Sequence, residues 1–150
     1  MNTDFSDPAS VVRAFIHQTH CWEALAGSLG ANAQARYRPQ DGSTLHPEEV
    51  RLDNVVRQLP QFIASTFLTK QKRAVATAGS YSVPPEYDPK TEKVVRVVPK
   101  TKTQVVVETN RKTDYMGGLR EYMLKQEDGV WLIDSVTVTL GTQKRKLTLV

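Results

Sequence analysis

The sequence predicts an α+β domain in which N-terminal helices pack on one face of a curved antiparallel sheet. Two observations support this class. Apolar residues recur at helical spacing in the first half of the chain, and segments rich in β-branched residues follow from residue 93 onward. Helices followed by consecutive strands indicate an antiparallel sheet, because a parallel sheet would alternate the two kinds of element. The length of 150 residues favours a single domain spanning 1–150.

The first helix is predicted to begin at Ser6-Asp7-Pro8, where a capping side chain precedes a proline in the first turn. Gly27 and Gly30 predict its end, and a loop follows over 30–43, which could include a helical turn through Ala31 to Ala35. The single cysteine, Cys21, lies inside the apolar pattern, so we interpret it as a small core residue. The buried stripe is predicted to consist of Val12, Phe15, Ile16, Thr19, Trp22 and Ala26.

The second helical region begins near His46-Pro47-Glu48-Glu49, where early acidic residues favour a helix N-terminus. Pro60 interrupts the apolar pattern that continues to Phe67. Because a proline inside a helix removes one hydrogen bond, we expect either two short helices or one helix with a kink at Pro60.

The second half of the chain predicts an antiparallel meander of short strands. Glu127-Asp128-Gly129 is a tight turn, since glycine supplies the positive φ that such a hairpin needs. Pro99–Lys102 is predicted to be another hairpin loop, and residues 110–118 a further turn. The predicted strands are 74–78, 93–98, 103–109, 119–126 and 130–138, with an additional edge strand at 144–150.

Composition and charge argue for an ordinary globular protein of modest basicity, with a formal net charge of +4. Basic residues cluster at 70–73, 111–112 and 144–146, and each cluster borders a predicted element. We interpret the clusters as solvated element ends and expect no nucleic-acid partner. The first residues do not resemble a secretory signal and no apolar run is long enough to span a membrane, so we expect a cytoplasmic protein without a membrane partner.

No strong motif for catalysis or metal binding is present in the sequence. His17 and His20 share a helix face, but no third ligand accompanies them and His46 is predicted to flank the second helix, so we expect no metal and no cofactor. Asp134 interrupts the last apolar strand and could act as a general base inside the sheet, with Tyr122 or Tyr81 as its partner. The alternative, which we favour, is that Asp134 points outward or bonds a neighbouring backbone group.

The segment Pro84-Pro85-Glu86-Tyr87-Asp88-Pro89 is too rich in proline for a helix or a central strand. A structural interpretation is that its prolines reduce the entropy lost on folding and set the entry into the next strand. A functional interpretation is that a rigid loop with a tyrosine and two acids suits partner recognition. Both interpretations stay open.

The order of the elements, with the ending Tyr122–Ser135, resembles the nuclear-transport-factor-two-like fold, in which the last hairpin closes a cone. Within this fold, three stretches resemble bacterial immunity proteins that neutralise polymorphic toxins, including Rhs-type effectors of the kind delivered by type VI secretion. These stretches are Phe15–Glu23, Val83–Pro89 leading to Glu92-Lys93-Val94, and the Asp128–Ser135 ending. The resemblance implies a cone-shaped α+β fold, a cognate toxin domain as partner and no enzymatic activity.

The first function hypothesis is therefore an immunity protein that occludes the active site of its toxin. The second is a small isomerase, cyclase or hydrolase of the same fold that uses Asp134 in the cone. The third is a scaffold that forms a homodimer through its open sheet face. For the first hypothesis, the candidate toxin contacts are Tyr37, Arg38, Tyr81, Glu86, Tyr87 and Asp88.

Overall fold

The computed structural model describes residues 2–35, 47–73, 85–112 and 118–147. Within these ranges the helices precede the strands, and all strands belong to one antiparallel sheet, so the predicted α+β class is confirmed. The predicted strand at 74–78 lies outside the described residues. The elements are α1 (Pro8–Ala35), α2 (Pro47–Phe67), α3 (Lys70–Arg73), β1 (Glu92–Thr101), β2 (Gln104–Arg111), β3 (Gly118–Glu127), β4 (Val130–Leu140) and β5 (Gln143–Lys146).

Helix α1 begins where the sequence predicts, because Asp7 caps it. One carboxylate oxygen of Asp7 accepts a hydrogen bond from the Ala9 amide at 3.3 Å, and the other accepts one from the Ser10 hydroxyl at 2.7 Å. The predicted end at Gly27 and Gly30 is wrong, since the helix continues to Ala35. An isolated glycine costs a helix only about 1 kcal/mol relative to alanine, which other interactions can outweigh.

The predicted buried stripe of α1 is confirmed, but the prediction for Cys21 is wrong. Residues at the stripe positions, such as Phe15 and Trp22, are buried, whereas Cys21 is exposed. Cys21 directly precedes Trp22, and successive side chains on a helix point about 100° apart. Trp22 and Glu23 both face the interior, so Cys21, which lies on the other side of Trp22, is turned toward solvent.

Helix α2 is one continuous helix that passes through Pro60, as the single-helix alternative predicts. A short segment follows it and reaches the sheet. There, Leu68 forms a parallel bridge with Ile133, and the Thr69 amide donates to the Ile133 carbonyl at 3.0 Å. This segment leads directly into α3.

The sheet has the strand order β1-β2-β3-β4-β5, so every strand pairs with its neighbour in sequence. The predicted turn between β3 and β4 is confirmed, with positive φ values of 51° at Asp128 and 80° at Gly129. The predicted hairpin loop Pro99–Lys102 is wrong in its first three residues, because β1 continues to Thr101 and the turn to β2 lies at 102–103. A proline is tolerated there because β1 is an edge of the described sheet. The predicted C-terminal edge strand at 144–150 is confirmed over 144–146 as part of β5, and residues 148–150 lie outside the described residues.

The core lies between the helices and one face of the sheet, which we call the inner face. Its centre is aromatic: the ring of Phe15 makes edge-to-face contacts with Phe67, Tyr87 and Tyr122, at centroid distances of 6.0, 5.3 and 6.2 Å. None of the helices in the described ranges combines the length and apolar character that crossing a membrane requires.

Candidate functional site

A group of charged and hydroxyl side chains lies on the inner face of the sheet, beside the aromatic core. Side chains alternate between the two faces of a strand, so residues two apart share a face. Arg120 and Tyr122 therefore share the inner face of β3 with the buried Leu124, and Thr109 shares that of β2 with Val107. We define the polar cluster as Glu86, Glu92, Thr109, Arg111, Arg120 and Tyr122.

Glu92 is the central residue of the polar cluster. Its side chain is fully buried, and one carboxylate oxygen accepts from Arg120 Nη1 at 2.8 Å. The other accepts from the Thr109 hydroxyl at 2.7 Å and from the Tyr122 hydroxyl at 2.6 Å. A buried carboxylate is stable only when its charge and lone pairs are satisfied in this way.

Arg120 is also fully buried and connects several parts of the molecule. Besides Glu92, its guanidinium forms a hydrogen-bonded ion pair with the Glu86 carboxylate. Its Cζ lies 4.6 Å from the ring centroid of Tyr87, which is a cation–π contact. Arg120 thus ties the loop that contains Glu86 and Tyr87 to the middle of the sheet.

The two buried tyrosines hold their hydroxyl protons more tightly than a tyrosine in water does. Burial raises the pKa of Tyr87 and of Tyr122 well above the ordinary value, and the negative charge of Glu92 raises both further. Both hydroxyls are therefore neutral at physiological pH. The Tyr122 hydroxyl acts as a hydrogen-bond donor to Glu92.

Helix α1 holds the same loop from the other side. The Glu23 carboxylate accepts from the backbone amides of Glu86 and Tyr87, at 3.2 and 3.1 Å. His20 Nδ1 lies 2.8 Å from the Tyr87 carbonyl oxygen. Asp88 then begins a turn into β1, since its carbonyl accepts from the Glu92 amide at 2.8 Å. The loop is therefore fixed by helix, sheet and its own turn.

The structure assigns different roles to the predicted contact residues of this loop. Tyr87 is only 7% exposed, so its side chain is part of the core and offers almost no surface to a partner. The Glu86 side chain is 41% exposed but is engaged by Arg120. Asp88 is partly exposed. The other predicted contacts, Tyr37, Arg38 and Tyr81, lie outside the described residues.

Asp134 belongs to a separate group on β4. One of its carboxylate oxygens accepts from the Thr69 hydroxyl at 2.9 Å, and the other lies 3.3 Å from Lys125 Nζ. It is the extra residue at an irregularity of the β3–β4 pairing. The structure does not pair Asp134 with Tyr122, whose hydroxyl is bonded to Glu92.

The two carboxylates of the polar cluster are engaged by its arginine and hydroxyl groups. Both oxygens of Glu92 are occupied, whereas a general base must reach a substrate proton. Within the described residues, three buried side-chain polar atoms lack a hydrogen-bond partner: Thr19 Oγ1, Arg111 Nε and Arg120 Nε. Each of them is a donor or hydroxyl group, so none is an unengaged carboxylate.

The two histidines of the described residues make different kinds of contact: His20 reaches the Tyr87 carbonyl, whereas His17 contacts only its own helix. His17 Nε2 lies 3.9 Å from Cys21 Sγ on the exposed side of α1, and His46 lies outside the described residues. No group of three or more histidine, cysteine or acidic side chains that could hold a metal ion occurs among the residues described.

Helix α2 presents exposed apolar side chains on its surface. Phe62 is 66% exposed and Val55 is 47% exposed. They are seven residues apart, which places them on the same side of a helix two turns from each other. We call Val55 and Phe62 the α2 apolar face.

Sequence reasoning missed most of the polar cluster, although a signal for it exists. Arg120 occupies a core-facing position in a strand whose next inner positions are Tyr122 and Leu124. Glu92 likewise shares a strand face with Val94, which packs against the core. A charged residue in phase with buried apolar positions indicates a buried ion pair, and two such residues of opposite sign indicate that they meet.

Comparison of this chain with protein-family models, curated proteins and solved structures finds no match.

Proposed function

We propose that this chain is a bacterial immunity protein that binds a cognate toxin domain stoichiometrically and blocks its activity, with no chemistry of its own. The observation that carries the proposal is the α2 apolar face, where Phe62 is 66% exposed and Val55 is 47% exposed. Exposed apolar side chains on one helix face favour a protein-binding site, because burying them against a partner removes apolar surface from water.

The interior of the molecule supports a binding role over an enzymatic one. The buried carboxylate of Glu92 is saturated by Arg120, Thr109 and Tyr122. A substrate would have to break these hydrogen bonds before it could contact Glu92. Asp134, the base required by the enzyme hypothesis, is likewise engaged by Thr69 and Lys125.

The proposal includes a cone-shaped nuclear-transport-factor-two-like fold of the immunity type. Its support is the five-stranded antiparallel sheet with helices on one face, together with the resemblance of the Pro84–Pro89 and Asp128–Ser135 stretches. In this proposal the Pro84–Pro89 loop supports the fold through Tyr87. Of its two acids, Glu86 is tied to Arg120, and the partly exposed Asp88 is the one proposed to contact a partner at the rim of an interface.

Co-expression with a candidate toxin tests the proposal directly. The chain is tagged and expressed with the C-terminal domain of any large protein encoded immediately upstream. We expect a stable complex and rescue of growth. The Phe62→Glu variant should weaken both, because a carboxylate would be buried without a partner. The matched control is Val95→Glu, which makes the same change at a 55% exposed valine on β1.

Two results would contradict the proposal. The absence of both a complex and growth rescue would remove the immunity function. If Phe62→Glu and Val95→Glu weaken the complex and the growth rescue equally, the α2 apolar face is not the contact surface. A homodimer remains an alternative use of an exposed face, and light scattering of the isolated chain over a range of concentrations measures it.

A further inference from the structure

Two basic segments that are far apart in sequence lie along one edge of the sheet. Strand β5 pairs with β4 from Leu140↔Gln143 to Thr137↔Lys146, and the Leu147 amide continues this line by donating to the Val136 carbonyl at 2.8 Å. Because β3 occupies the other side of β4, the segment from Gln143 to Leu147 forms the outer edge of the described sheet.

The start of α3 continues the same edge. Leu68 bridges Ile133, and the Thr69 amide donates to the Ile133 carbonyl. Ile133 pairs with Leu124 of β3 on its other side, so Leu68 and Thr69 lie on the side of β4 that β5 occupies. The next residue is the first of α3. We define the basic edge as Lys70, Lys72, Arg73, Lys144, Arg145 and Lys146.

The positive charge of the basic edge is largely uncompensated. Only Lys144 forms an ion pair within the described part of the chain, with Glu121 at 3.4 Å. Of two further carboxylates nearby, Asp134 pairs with Lys125, whereas Glu127 accepts from the Lys70 backbone amide and offsets part of the charge at the α3 end of the edge. Five of the six cationic residues are exposed, and Lys72 is partly exposed.

The basic edge concentrates positive charge in one part of the described sheet. Its six residues carry +6, and Glu121 is the one carboxylate that forms an ion pair with them in the described part of the chain. A field of this kind attracts an anionic surface and orients it during the encounter. Such an arrangement goes beyond the solvated element ends that each basic cluster indicates separately.

We propose that the basic edge is a docking surface for an acidic face of the protein partner, which rests on the proposed immunity function. A protein fits better than single-stranded nucleic acid because none of the six residues is aromatic, and single-stranded sites combine cations with aromatic rings for stacking. The edge would also be repelled by the basic substrate-binding face of a nuclease. The partner is therefore a toxin whose contacted face is acidic.

The test compares two charge-reversal variants with equal changes in net charge. The first is Lys144→Glu/Lys146→Glu on β5. The matched control is Lys100→Glu/Lys102→Glu, at two exposed lysines beside the turn between β1 and β2. The probes are a short poly-L-glutamate peptide and a DNA duplex of equal charge, and binding is measured by titration at low and physiological salt. Circular dichroism and thermal unfolding check that each variant is folded.

We expect the native chain to bind poly-L-glutamate in a salt-dependent way. The β5 variant should lose about tenfold or more in affinity, and the control should stay within about twofold, because Coulomb attraction depends on the site of the charge. Three results overturn the proposal. The first is no binding of poly-L-glutamate, and the second is an equal loss of affinity in both variants. The third is that the native chain binds the duplex more tightly than poly-L-glutamate and that only the β5 variant loses this binding. The last result would assign the edge to nucleic acid.

These probes do not require a toxin, so the proposal can fail separately from the immunity function. If an upstream toxin domain binds the chain and the β5 variant retains the native affinity for it, the immunity function stands and the docking surface is wrong. If the β5 variant, unlike the control, binds the toxin domain more weakly than the native chain does, and the difference grows as the salt concentration falls, the immunity function and the docking surface both stand.

Discussion

The indole Nε1 of Trp22 donates a 3.0 Å hydrogen bond to the backbone carbonyl of Val56. That carbonyl is the one left without a helical donor by Pro60, because a proline has no amide to give to the residue four positions earlier. A side chain of α1 thus satisfies a backbone group that α2 cannot satisfy itself. This explains why α2 continues through a buried proline, and it fixes how the two helices meet.

The Trp22–Val56 hydrogen bond predicts a specific coupling between two substitutions. Trp22→Phe should lower the free energy of unfolding by about 2 kcal/mol or more, from lost packing and an unsatisfied buried carbonyl. Pro60→Ala supplies an amide for that carbonyl, so Trp22→Phe should cost about 1 kcal/mol less in its presence. Urea unfolding of the four proteins gives the coupling energy. Strict additivity would show that the indole donor does not compensate for the proline.

The Arg120–Glu92 pair predicts a large penalty when only one partner is removed. Arg120→Met should destabilise the chain by about 3–5 kcal/mol, because Glu92 would remain charged and buried. Adding Glu92→Gln should recover part of this loss, since the amide oxygen can still accept hydrogen bonds and carries no charge.

A second arginine–glutamate pair in the same sheet provides the control for this experiment. Arg96 makes a bidentate ion pair with Glu108, but its side chain is 66% exposed. Arg96→Met should cost less than about 1 kcal/mol because the pair is in contact with water. Chemical denaturation measures both losses, and similar penalties at the two sites would contradict the interpretation of the buried pair.

The buried tyrosines predict how stability depends on alkaline pH. The pKa of Tyr122 is raised by burial and by Glu92, above the ordinary value of 10.0 that applies to the unfolded chain. The unfolded chain therefore loses this proton first as the pH rises, so the contribution of this group to stability is fully present below about pH 10 and is lost above it. The slope above that pH should reach about 1.4 kcal/mol per pH unit for each such tyrosine.

The Tyr122→Phe variant isolates the contribution of one hydroxyl to this slope. Urea unfolding between pH 8 and pH 11 should show that the free energy of unfolding declines less steeply for the variant. The difference in slope should correspond to about one proton. The lost hydrogen bond to Glu92 lowers stability at every pH, so the comparison uses slopes and not absolute values. An unchanged slope would mean that the Tyr122 hydroxyl ionises in the folded chain as readily as in the unfolded one.

We expect the Glu23 carboxylate to protect two backbone amides in the Pro84–Pro89 loop from hydrogen exchange. Glu23→Ala should increase hydrogen exchange at the amides of Glu86 and Tyr87, which both donate to that carboxylate. Gln18→Ala, at an exposed position of the same helix, is the matched control. Exchange measured by NMR distinguishes the two variants. Faster exchange in both would point to general destabilisation of α1.

The elements with strong local signals could be predicted from the sequence, because neighbouring residues determine them. Asp7 caps α1 as expected, and the Asp128-Gly129 turn has the backbone that its sequence requires. The continuity of α2 could not be decided from the sequence. The indole that donates to the Val56 carbonyl belongs to Trp22, which lies 34 residues away. A local sequence pattern likewise does not reveal which distant segments lie side by side, as in the case of the two segments of the basic edge.

The candidate site divides in the same way. The loop around Tyr87 was recognised as unusual, but its inward-facing ring depends on Phe15 and Arg120, which lie on α1 and β3. The exposure of Phe62 could not be read from its helical spacing, because the period alone does not define which side faces the core. The partner-binding roles of Glu86 and Asp88 stay predictions.

The closed hydrogen bonding around Glu92 restricts how this sequence can diverge. A change of Arg120 to an apolar residue would strand a buried carboxylate, and a change of Glu92 alone would weaken the compensation of a buried guanidinium. Related chains are therefore expected to keep both residues or to replace both together. Outside this cluster, exposed positions such as Phe62 can vary at little cost to folding, so the surface of the chain can change while its interior stays constant.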